Sequence, residues 1–180
     1  LQHMPAHIYV ICGQYEDAIR VSRKAIIADE QYVNFAGRYN FYTTSRCHDL
    51  HMMMYASMFA GQFEPAIQAA RTLTATLSAE LLAVERPHMA VTLEGYHSTF
   101  MHVLVRFGKW QEILDSPLPD DPVLYCVSTA MCHYARSVAH SALGQITAAT
   151  EQRDLFRDAR KQVPESRLFF NNNAYDILAI

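Results

Sequence analysis

The chain has 180 residues, 51% hydrophobic and 18% charged, with a formal net charge of −3. That length suits one domain or a short repeat array, and so much apolar content requires a sizeable core. The weak net charge and the lack of a long basic run leave nucleic acid and anionic lipid without an electrostatic attractor.

The opening LQHMPAHIYV has no basic segment followed by an apolar one, so it does not read as a signal peptide. It starts as a helix already under way, and Pro5 suits a first turn, where its missing N–H costs nothing. The pattern predicts helices over 5–12, 15–29, 45–60, 63–84, 90–107, 109–114, 123–143, 146–162 and 172–180. DSPLPDDP, with three prolines spanning 117–122, ends the short sixth helix, and Pro164 closes the eighth. No segment alternates as a strand. The last residues, NNNAYDILAI, stop on apolar side chains, so both ends look cut from a longer chain. No apolar run approaches the roughly 18 residues of a membrane span, and no membrane partner is expected.

Cys12, Cys47, Cys126 and Cys132 form no CxxC pair. Set among apolar, helix-forming neighbours, they read as buried free thiols of a reducing compartment, which makes a cytoplasmic location the expectation. Phosphate-binding glycine loops and the GxSxG elbow are absent from the sequence.

Four segments share one signature: GQYEDAIRVSRKAI from Gly13, GQFEPAIQAARTL from Gly61, GKWQEIL from Gly108 and GQITAATEQRDLF from Gly144. A large residue follows each Gly by two positions (Tyr15, Phe63, Trp110, Ile146), and Ala18, Ala66, Ile113 or Ala149 follows three later. The Gly lets a helix end in the left-handed conformation and the chain turn back. The large residue is expected to plug the hairpin, and the small one lets the two helices approach. One such pair buries too little surface alone, so several must stack. The fold expected is all-α: a single domain over 1–180, a superhelical array of antiparallel helix pairs with about four irregular repeats.

This grammar resembles the tetratricopeptide repeat, with GQYEDAIRVSRKAIIAD its best match, although the first two Gly-to-Gly intervals exceed the usual length of about 34 residues. HMPAHIYVICGQY, RCHDLHMMMYASMFAGQ, VRFGKWQEIL and NNNAYDILAI together resemble a group of long bacterial tetratricopeptide-repeat proteins whose motifs read approximately HMPSHIYLRVGRY, YPHNxHFL and RFGRWDEIL. In that group a His- and Tyr-rich segment precedes the first motif and more repeats follow the last. The resemblance implies which positions of each first helix line a concave groove, counted back from the turn glycine. It places His3, His7, His48, His51 and His102 there, with Tyr55, Phe59 and Arg106 beside them. His97, His133 and His140 fall at packing positions and His88 in a connection, where an ordinary hydrogen-bonded imidazole is expected.

Two functions follow. Arrays of this kind bind protein segments, and the groove residues Tyr55, Phe59, His102 and Arg106 would grip a peptide or small ligand, Arg106 through a carboxylate. Alternatively, His3 with His7 (i, i+4) and His48 with His51 (i, i+3) each share a helix face and would offer four imidazoles to zinc, copper or iron in a metal-dependent oxidoreductase or hydrolase. Asp49 lies off the groove face by phase. The protein-binding scaffold is the leading expectation and the metal enzyme its alternative.

Overall fold

A computed structural model describes residues 2–179. The described residues are overwhelmingly helical, as the pattern requires, and their contacts divide into two compact units, Leu1–Thr76 and Leu77–Ile180.

The first unit holds α1 (Met4–Ile11), α2 (Tyr15–Ala36), α3 (Tyr42–Phe59) and α4 (Phe63–Thr76), each packed on the next. Ala6, Ala18, Ile19, Val21, Met52 and Ala56 form the core shared by the first three. Arg46 is buried between elements, donating to Thr76 Oγ1 at 2.6 Å and pairing with Glu30.

The second unit begins with α5 (Ala79–Leu82), whose N-terminus is capped by the Ser78 side chain. Next come α6 (Met89–His97), α7 (Thr99–Arg106), α8 (Trp110–Asp115), α9 (Cys126–Ala142) and α10 (Ile146–Lys161). It ends in a two-residue antiparallel pair, β1 (Leu168–Phe169) with β2 (Asn172–Asn173), and α11 (Ala174–Ile177). Cys126, Val127, Ala130, Met131, Val163 and Phe169 form a core cluster with the α11 end.

The turn signature is seen four times. Gly13, Gly61, Gly108 and Gly144 all take positive φ, between 64° and 74°. At each, the Gly N–H reaches the carbonyl three residues back and the next N–H reaches five back: Gln14 to Tyr9, Gln62 to Ser57, Lys109 to Leu104 and Gln145 to His140. This paired closure satisfies carbonyls a helix end leaves open, and it needs the left-handed residue that glycine supplies. Ala18, Ala66, Ile113 and Ala149 are all buried at the hairpin contact.

Several expectations need correction. Ile146 is 67% exposed and plugs nothing, whereas the Tyr15 ring packs tilted against Phe59 with centroids 5.3 Å apart. The helix drawn over 90–107 is two, because Ser98 and Thr99 return their hydroxyls to the Gly95 and Tyr96 carbonyls and compete with the helical ladder. That drawn over 63–84 stops at Thr76, and the one over 172–180 is reduced to α11 by the strand pair. The pair was invisible to an alternation test because two residues have no period. Cys12 is exposed, while the other three cysteines are buried and free.

Candidate metal centre

In the first unit, α1 and α3 run their histidine faces together. Residues 3 and 7 lie one turn apart, and residue 48 meets them from the neighbouring helix. The three Nε2 atoms converge: His3 to His7 at 2.7 Å and His48 to His7 at 3.3 Å. Candidate ligand atoms of all three lie within 4.8 Å of one another. Tetrahedral zinc with bonds of about 2.0–2.1 Å separates its nitrogen ligands by roughly 3.3 Å. The second spacing meets that value, and the first is a nitrogen–nitrogen hydrogen bond that must open by about 0.6 Å.

Behind the cluster stands a carboxylate that the phase argument had set aside. Asp49 Oδ1 lies 2.8 Å from His3 Nδ1, with the two side chains only 10% and 11% exposed. The contact is at pairing distance, although Nδ1 makes no well-aligned hydrogen bond. One step along α3 turns Asp49 about 100° from His48, away from the open face and back toward the root of α1. A carboxylate at Nδ1 favours the tautomer that leaves the Nε2 lone pair free.

A second carboxyl lies deeper. Asp29 of α2 is 1% exposed, accepts a 2.7 Å bond from the Tyr42 hydroxyl and lies near enough to Asp49 to feel its charge. Burial, opposed by the Tyr42 bond and reinforced by Asp49, pushes its carboxyl up to about 6. The Tyr42 phenol rises to about 12, chiefly because its proton bonds Asp29. Burial first, then the neighbouring imidazoles, lowers His7 and His48 below the usual histidine range. Neutral imidazole is the form that binds a metal.

His51 stands outside this convergence. Its ring lies 6.3 Å from that of Tyr55, which is 4.7 Å from Phe59. Steps of four residues along α3 thus carry an aromatic strip from the histidines to Phe59, which is 51% exposed. In the second unit His102 lies on α7 with its ring 6.1 Å from Phe169, and Arg106 is exposed in the last turn of the same helix.

The packing histidines behave as their positions imply. His97 meets Ser128 Oγ at 3.2 Å and burial lowers it to about 4; His133 pairs with Gln152 at 2.9 Å and His140 with Gln145 at 2.6 Å. His88 is exposed just before α6. Asp29, Tyr42 and Asp49 were missed as parts of the site. The signal for Asp49 was its place between two histidines in HDLH, while Asp29 and Tyr42 carried none. No family model, curated protein or solved structure matches this chain.

Proposed function

We propose that the first unit is a transition-metal-binding module, with His3, His7 and His48 as ligands through Nε2 and Asp49 as the outer carboxylate that sets His3. The observation that carries this reading is the convergence of three imidazoles from two helices, backed by a carboxylate at the far nitrogen of one of them. Inert imidazoles in a core each find a separate hydrogen-bond partner, as His97 and His133 do. Three that face each other repel once protonated, and a cation shared by their nitrogens replaces that repulsion with ligation.

Imidazole nitrogen suits zinc, copper, iron or nickel. Three protein ligands leave a coordination position open, the arrangement of sites that polarise a bound group rather than only hold a fold. His51 belongs to the aromatic strip in this reading and not to the ligand set.

The test is calorimetric titration of the metal-free protein with Zn²⁺, repeated on His3→Ala, His48→Ala and His51→Ala. One equivalent is expected for the parent chain, loss in the first two variants, and near-parent affinity in the third. An unaltered isotherm in His3→Ala, or no saturable uptake by the parent, would sink the proposal.

Protein binding is kept as a second reading by one observation, the exposed end of the aromatic strip at Phe59 beside Tyr55 and Tyr15. Its support is that strip and the resemblance of the hairpins to tetratricopeptide repeats. Phe59→Ser would weaken capture of a partner segment while leaving zinc uptake unchanged.

A further inference from the structure

The second unit contains a cavity of about 360 Å³ between α10 and α11 that neither reading above uses. That volume lies at the small end of the range for ligand sites, about 300–1,000 Å³. Arg157, Arg160 and Lys161 of α10 line it with Tyr175 of α11, and no acidic side chain does so among the described residues. Its apolar wall is Phe156 and Leu178. The same two side chains wall an adjoining cavity of about 310 Å³, which His102, Met131, Phe169 of β1 and Ile177 of α11 help to complete. Apolar lining thus continues past the basic space.

The three cations differ in what holds them. Lys161 Nζ lies 2.7 Å from Asp158, and Arg157 Nη1 lies 3.5 Å from Asp154, each one turn back along α10. Arg160 makes no ion pair among the described residues. Its Nε donates to the Tyr175 carbonyl at 3.0 Å, and its guanidinium carbon sits 4.1 Å over the Tyr175 ring. A basic residue in a last helical turn is favoured by the dipole alone, but that role does not require its fork to be fixed. Here a carbonyl and a ring orient it, and both Nη groups are left unburied and without a partner among the described residues. A guanidinium fixed through Nε presents those two groups end-on, the fork that pairs with both oxygens of one carboxylate.

We infer that this cavity binds a small monocarboxylate with an apolar tail, the carboxylate on the Nη groups of Arg160 and the tail along Phe156 and Leu178. A single charge follows from the cations: Arg157 and Lys161 already have acidic neighbours, so one guanidinium lacks a counter-charge. The tail follows from the wall, because a bare anion would leave Phe156 and Leu178 facing water.

The test is calorimetric titration of the metal-free full chain with octanoate, octanol, acetate and octyltrimethylammonium. Octanoate is expected to bind saturably and about ten-fold or more tightly than each of the other three, the scale of one charge-assisted pair. Arg160→Gln, polar but without the charge or the fork, is expected to lower octanoate affinity by about ten-fold or more. Arg157→Gln and Lys161→Gln are each expected to lower it by less than about three-fold, as exposed charges do. Circular dichroism checks that the Arg160 variant is folded; if loss of the Tyr175 contact unfolds it, the four probes on the parent chain decide alone. Octanoate that binds no more tightly than octanol or acetate overturns the inference. So does undiminished binding in folded Arg160→Gln, or failure of octanoate to bind the parent. Every residue invoked lies in Leu77–Ile180, so the result is independent of zinc uptake at His3, His7 and His48.

Discussion

Each unit buries carboxyl groups beside histidines, yet the two put them to opposite uses. In the second unit Glu94, fully buried on α6, is consumed by structure. It accepts from the backbone N–H groups of Val127 and Ser128 at 3.2 and 2.9 Å and from the Ser128 hydroxyl at 2.7 Å, with Arg167 4.0 Å away. It therefore caps the first turn of α9, where orphan donors and the helix dipole favour an acidic group. In the first unit Asp49 faces an imidazole whose other nitrogen meets His7, which in turn meets His48. A carboxyl that completes a helix end is spent on that end; one that backs a convergent set of imidazoles is not.

The largest effect expected tests the structural half of that contrast. Glu94→Ala strands the first donors of α9 and leaves Arg167 facing no charge, a loss of about 3–5 kcal/mol by analogy with broken buried pairs. Glu94→Gln keeps one acceptor oxygen and should fall between that variant and the parent. Urea denaturation followed by circular dichroism measures both. A loss below about 1 kcal/mol for the alanine variant would mean that Glu94 is not the cap of α9.

The functional half is sharpened by Asp49→Asn, which keeps shape but removes the charge behind His3. Outer partners of metal-bound imidazoles are worth about 10–100-fold in affinity. Zinc affinity, read by competition with a chromophoric chelator, is expected to fall within that range while thermal stability changes little. Unaltered affinity would show that Asp49 is a buried neighbour and no part of the centre.

How far the sequence reached follows the same division. The turn glycines were legible because left-handed closure has one cheap residue, and its repetition at Gly13, Gly61, Gly108 and Gly144 made the hairpins readable. His3, His7 and His48 were legible because helical spacing places each on a face. The pairing of α1 with α3 came from the repeat resemblance. The phase rule set Asp49 off the open face, but a residue turned away from that face can still be turned toward the helix that carries the other imidazoles. Asp29 and Tyr42 were out of reach because their contact joins two helices through one hydrogen bond, which leaves no periodic trace. His102 was expected in a groove by its place before a turn glycine; the cavity it lines also draws on β1 and α11, elements too short for a pattern to reveal.

The smallest expected effect concerns pH and again sets two kinds of buried group against each other. In the metal-free protein His7, His48, His97 and His102 are all lowered, by burial first. Below about pH 6.5 the unfolded chain takes up protons that these folded imidazoles refuse, so stability falls as pH falls. For His97 that loss continues until pH reaches about 4. Asp29 has the opposite sign. Its folded carboxyl binds a proton near 6, above the 3.8 of its ordinary value, so between those limits acidification favours the folded state. Glu94, raised by burial, acts in the same direction. Asp29→Asn removes one of these two opposing contributions while keeping an acceptor for the Tyr42 hydroxyl. The melting temperature of the metal-free variant should therefore fall more steeply than that of the parent between pH 6 and pH 4. Parallel melting curves across that interval would mean that Asp29 carries no extra proton in the fold.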